Sequence, residues 1–184
     1  MVNTKKYKLI YCDPPWEIRK IRRRVRPNQV EMDYPTMTLE EIKALPVQAI
    51  ADDKSMLFLW TINKFLPDAF DVVKEWGFRF QRLLTWDKGN GLCLFGFHLR
   101  TEFCLVGTRG RWKIYPSQKA IPTLIVEHTW RQHSKKPEIM YKYLEQFGGP
   151  RIELFARQKV EGWDSVGYDI DGCDIKETLM SVEI

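Results

Sequence analysis

Leu9-Ile10-Tyr11-Cys12-Asp13-Pro14-Pro15-Trp16-Glu17-Ile18 is the stretch on which the fold turns. An apolar run leads into an acid and two prolines, and each proline fixes φ and lacks a backbone donor, so neither a strand nor a helix can continue. The chain therefore turns at Pro14, directly behind a buried strand expected over residues 7–12. In open α/β sheets ligands sit beyond the carboxyl ends of strands. That makes Asp13 and Trp16 site candidates, the alternative being a plain strand-ending turn with a core tryptophan.

With 184 residues the chain suits one domain with a sizeable core, expected over 1–184 with a basic loop at about 17–33 and a C-terminal tail at about 173–184. A hydrophobic content of 44% beside 29% charged residues is ordinary for a globular protein. The seven tryptophans are less ordinary, since flat amphipathic rings serve nucleobase pockets as well as cores. Cys12, Cys93, Cys104 and Cys173 form no C-x-x-C pair, and His98, His128 and His133 complete no metal-ligand spacing, so reduced thiols and no metal are expected. The N-terminus has no signal-peptide pattern and the apolar runs are far shorter than a membrane span. A soluble intracellular protein, cytoplasmic or in a host cell, is the expectation, with no membrane partner.

The net charge of +5 is moderate, but its distribution is not even. Arg19, Lys20, Arg22, Arg23, Arg24 and Arg26 place six cations in eight residues with no acid, beginning three residues after Trp16. Such a run reads either as a solvated loop or as a loop on phosphates.

Further along, Thr38-Leu39-Glu40-Glu41 is a capping box that opens a helix to about Leu45, stopped by Pro46. Residues 55–60 suit a buried strand; 67–76 carry helical apolar spacing closed by Gly77; 78–86 suit another strand. The glycine-rich Asp87-to-Phe97 segment reads as a lid or a long connection, and matches no phosphate-cradling pattern. Strands are expected over 102–108, 124–127 and 151–155, with a helix that starts at Pro137 and ends at Gly148-Gly149. Alternating strands and helices imply a mainly parallel sheet with helices on both faces, a Rossmann-like α/β sandwich.

Six features now stand in order between about Lys8 and Gly172: Asp13-Pro14-Pro15-Trp16; Tyr34-Pro35-Thr36-Met37; Leu57-Phe58-Leu59-Trp60; "EFCLVGTRG" at 102–110; Ser134-Lys135-Lys136-Pro137; and "RIELFAR" at 151–157 with Gly162-Trp163. Together they resemble the MT-A family of S-adenosylmethionine-dependent adenine N6-methyltransferases, which includes the catalytic subunit of the messenger-RNA adenosine methyltransferase. The resemblance implies a methyltransferase sandwich whose catalytic motif precedes the cofactor-binding segments.

It also implies roles. The Asp13 carboxylate and the Pro14 carbonyl would accept hydrogen bonds from the adenine amine, Pro15 would hold the turn rigid, and Trp16 would offer a face to the base or pack beneath it. Lys136 would pair with the methionine carboxylate of the cofactor and Arg157 would lie near its ribose. Tyr168 stands where the family commonly has a ribose-binding asparagine, and the adjacent Asp169 is the candidate for that contact. Arg19, Lys20, Arg22, Arg23, Arg24, Arg26 and Tyr34 would meet the substrate. The implied partner is nucleic acid, DNA favoured over RNA, and a homodimer or heterodimer is compatible with the family. Two other readings stay open: a non-catalytic nucleic-acid-binding subunit, and an enzyme for a different amino acceptor.

Overall fold

The computed structural model describes residues 5–17, 36–111, 119–128, 135–172 and 175–181. The six cations of the basic run, together with Tyr34 and Ser134, lie outside the described residues.

Strand β1, Tyr7–Cys12, is buried along nearly its whole length, as a central strand covered on both sides must be. It runs parallel to β2, Ala51–Ile62, on one side and to β6, Arg151–Leu154, on the other. Beyond β2 come β4, Phe97–Arg109, and β3, Arg79–Leu94, both in antiparallel pairings, then β5, Leu124–Val126, parallel to β3. On the far side β7, Asp164–Val166, is parallel to β6. Among the described residues this is one seven-stranded sheet in the order β5-β3-β4-β2-β1-β6-β7, mostly parallel with an antiparallel hairpin inserted.

Alternation along β1 builds two cores. Ile10 and Cys12 join Leu57 and Leu59 of β2 against Ile42 of α1 (Leu39–Lys43), Ile50 of α2 (Val47–Ile50), Val72 and Val73 of α3 (Leu66–Glu75), and Leu179 of α6 (Ile175–Ser181). Leu9 and Tyr11 join Phe58 and Trp60 against Met140 and Leu144 of α4 (Ile139–Glu145). Helix α5 is the single turn Tyr168–Asp171. Helices thus cover both faces, and the expected Rossmann-like sandwich is what the chain forms.

Several boundaries differ from expectation. Asp87 to Phe97 is neither lid nor loop: it is the outer part of the β3–β4 hairpin, closed by Phe95 and Gly96, both at positive φ as a two-residue hairpin turn requires. Its glycines mislead because glycine also serves where two backbones crowd; a Cβ on Gly91 would lie 2.1 Å from the Leu99 carbonyl oxygen, beside a register shift between Asp87 and Leu92. Helix α1 ends at Lys43, and Pro46 opens the separate short α2. Helix α4 starts two residues beyond Pro137. The segment expected as a tail contains α6, whose Ile175 and Leu179 are buried.

Candidate active site

Behind β1 the chain turns tightly. The Trp16 N–H donates to the Pro14 carbonyl at 2.9 Å, which spans Pro15, and the Met37 N–H donates to the Pro15 carbonyl at 2.9 Å. The Trp16 indole N–H donates to the Trp60 carbonyl at 3.1 Å, and its ring stacks on Phe65 at 5.5 Å and 14°. At 7% exposure Trp16 packs beneath the turn and ties it to the end of β2. The Pro14 carbonyl keeps a second lone pair beyond the one that Trp16 uses.

A cavity of about 660 Å³ opens at the carboxyl ends of β1 and β6. These neighbouring strands lead their connections to opposite sides of the sheet, the topological switch at which α/β folds bind ligands. Asp13 and Pro15 form one wall, and Met37, Glu40 and Ala44 from the region of α1 form another. Opposite stand Phe155, Ala156 and Arg157, which follow β6, with Tyr168 and Asp169 of α5. Ile175 and Lys176 of α6 complete it. Asp13, Pro15, Arg157, Tyr168 and Asp169 are thus brought together, while Lys136 does not line this cavity.

Backbone geometry makes the far wall. Phe155 has φ +62, a left-handed conformation that a bulky side chain adopts only under constraint, and it swings Ala156 and Arg157 out of the line of β6. Gly167 then lets the chain return close by, because a Cβ there would lie 2.3 Å from the Ala156 oxygen. The Ala156 N–H donates to the Val166 carbonyl at 3.0 Å and fixes the approach. Four lining carboxylates, Asp13, Glu40, Glu41 and Asp169, face two lining cations, Arg157 and Lys176.

Lys136 is held behind Asp13. Its Nζ lies 2.8 Å from Asp13 Oδ2 and 3.0 Å from Glu102 Oε2, and 5.6 Å from the centre of the Trp60 ring. Lys88 of β3 closes the row at 3.1 Å from Glu102 Oε1. Burial works against the charge on Lys136, but the Asp13 and Glu102 carboxylates outweigh it and hold the ammonium above its ordinary range. Glu102 is likewise penalised by burial, yet Lys136 and Lys88 keep its carboxyl below the usual value. Close by, Glu153 of β6 stands opposite Tyr11 and accepts a hydrogen bond from the Tyr141 hydroxyl at 2.9 Å. Burial, reinforced by the Asp13 charge and opposed by that hydrogen bond, pushes it up to about 7.

Glu102, Lys88, Glu40, Ile175 and Lys176 escape a sequence reading of the site. Glu102 carries the one usable signal, an acid directly before the apolar run of residues 103–106. The others come to the site through long-range packing. Cys12, Cys93 and Cys104 are free thiols, and the described residues contain no group of three or more His, Cys, Asp or Glu that could hold a metal. No helix among them is long and apolar enough to cross a membrane.

Comparison with known proteins gives a consistent result. Residues 7–169 match the MT-A70 family. The type II methyltransferase M.MunI of Mycoplasma sp is 29% identical, aligned over 90% of this chain and 78% of its own. The human N(6)-adenosine-methyltransferase catalytic subunit METTL3 is 28% identical over 91% of this chain, but the match spans only 29% of that protein. The Arabidopsis thaliana N6-adenosine-methyltransferase non-catalytic subunit MTB is 34% identical over 57% of this chain and 14% of its own.

Proposed function

The chain belongs to the MT-A70 family, and from that membership we propose that it methylates the exocyclic N6 amine of adenine in nucleic acid, with S-adenosylmethionine as donor and DNA preferred over RNA. The observation that carries this reading is the Asp13 carboxylate on a rigid turn, opening onto a cavity that Arg157, Tyr168 and Asp169 also line. The similarity to a type II methyltransferase, aligned over 78% of its length, favours DNA.

The cavity fits the donor. Its size lies in the roughly 300–1,000 Å³ range of small-molecule sites, and its lining carries more carboxylates than cations, which suits a cationic sulfonium. Met37, Ala44, Phe155 and Ile175 offer apolar surface to an adenine ring. Asp169, with the Tyr168 hydroxyl, can pair with ribose hydroxyls, and Arg157 with an acceptor of the same nucleoside. Bound S-adenosylmethionine supplies an electrophilic methyl group.

The chain's part is to aim a poor nucleophile. The amine lone pair is delocalised into the purine, so the amine must be held at near-attack distance and polarised. Asp13 Oδ1 and the second lone pair of the Pro14 carbonyl accept its two N–H groups, which directs the nitrogen lone pair at the methyl and stabilises the charge that develops on nitrogen. Lys136 secures Oδ2 of the same carboxylate. The proton leaves after transfer, so Asp13 need not act as a formal base. A base seated here comes from a single strand or is flipped from a duplex, at a cost of a few kcal/mol.

The test is transfer of labelled methyl from S-adenosylmethionine to duplex DNA, single-stranded DNA and RNA, followed by digestion to nucleosides. N6-methyladenine in one pool, reduced about a hundredfold in Asp13→Ala with cofactor binding retained, is the expected result. The similarity to MTB keeps one rival, a non-catalytic nucleic-acid-binding subunit in a homo- or heterodimer. It predicts no incorporation into any pool and an Asp13→Ala variant that binds nucleic acid as the parent does.

A further inference from the structure

Lys88 belongs to none of the roles assigned so far, yet it ends a row of alternating charges that leads to Asp13. The row runs Lys88, Glu102, Lys136, Asp13 with spacings of 3.1, 3.0 and 2.8 Å. None of the four side chains is more than 23% exposed. Two cations and two carboxylates give no net charge, which is how a cluster this far from water remains ionised.

The fold dictates the order. Trp86 of β3 stands directly opposite Glu102 of β4, and Lys88 lies two residues on, so its side chain shares that face and meets Glu102 on the diagonal. Next along the hairpin Asp87 takes both Arg100 Nε and Nη2, at 2.9 and 2.7 Å, a second link between the same two strands. Lys88 takes Glu102 Oε1 and Lys136 takes Oε2, so each oxygen has one ammonium.

We propose that Lys88 is a positioning residue: by occupying the outer oxygen of Glu102 it leaves Lys136 shared with Asp13, and so sets where the Asp13 carboxylate faces the cavity. Take Lys88 away and two carboxylates compete for one ammonium. Glu102, its Oε1 bare, draws Lys136 onto both oxygens, and Asp13 loses its hold. The titratable groups that the neighbouring strands set beside Asp13 carry no positive charge to replace it. Glu153 of β6 is an acid, and Cys12 of β1 and Cys104 of β4 are buried thiols held neutral by burial.

Because Lys88 does not touch Asp13, the decisive measurement is a double-mutant cycle on urea unfolding with Lys88→Met, Asp13→Asn and the pair. It needs no activity, and therefore judges this proposal even if methyl transfer is never observed. The midpoint shift of the pair is expected to differ from the sum of the single shifts; additive shifts overturn the proposal. Its catalytic consequence rests on the proposed function. Lys88→Met should lower kcat about tenfold with KM for both substrates within about twofold, as expected when the reacting geometry slips while binding survives. Lys88→Arg, which keeps the cation, should recover most of the rate. An unchanged kcat, or a loss that Arg does not recover, overturns that consequence.

Discussion

Glu153 is the residue where burial and proximity to charge meet most openly. The folded protein keeps a proton on it up to about pH 7, the unfolded chain only to about 4.5. Between those values the folded state binds more protons, so this group's contribution to stability is complete below pH 4.5 and is lost as pH rises through 7. Glu153→Gln retains an acceptor for the Tyr141 hydroxyl and removes the charge. The variant is expected to be more stable than the parent at pH 8 by about 1–3 kcal/mol, with the gap closing near pH 5. Urea midpoints at both values check this, and a midpoint that fails to rise at pH 8 would mean that Glu153 finds a cation or water when ionised. Nothing in "RIELF" announces this behaviour, whereas Asp13 was legible from its own neighbours. Two prolines force a turn wherever they occur, but the surroundings of Glu153 come from Tyr141 and Asp13, on other elements.

Helix α1 shows what a local signal can carry. The Glu41 N–H donates to Thr38 Oγ1 at 3.3 Å, and the Thr38 N–H donates to Glu41 Oε2 at 2.7 Å. Both partners lie within four residues, so the sequence alone displays them. Its second use, presenting Met37, Glu40 and Ala44 to the cavity, does not show until the fold closes. Thr38→Ala is expected to lower stability by about 1 kcal/mol and to weaken binding of the proposed donor, S-adenosylmethionine, a few-fold, read by calorimetry; unchanged binding would detach the helix start from the site. The β3–β4 hairpin is the opposite case. Gly89, Gly91 and Gly96 form a pattern common to loops and to crowded or sharply turned strands, and only the facing strand decides between them.

Across the whole molecule, charge and topology act together. The net +5 is concentrated in the six cations between residues 19 and 26. If all six meet duplex phosphates they contribute about −5 to the slope of log affinity against log salt, at about −0.9 each. Replacing them with glutamine should flatten the slope in fluorescence anisotropy titrations, and an unchanged slope returns the run to solvated loop. The sandwich itself was legible because strand and helix periods alternate along the chain. The order β5-β3-β4-β2-β1-β6-β7 was not, since pairing between distant strands leaves no local mark.

The placement of α6 bears on time. Ile175 and Lys176 close a cavity whose first wall is Asp13, so the ribosome delivers opposite sides of one site about 160 residues apart. Strand β1 emerges first among the described elements and must wait for β6, about 140 residues later, to cover its second edge. A nascent chain that has reached only Gly172 already contains the whole turn from Asp13 to Trp16 but lacks the wall that α6 supplies. The cavity therefore closes only after the sheet around β1 is complete, and an unprotected β1 edge is the hazard the nascent chain carries until β6 arrives.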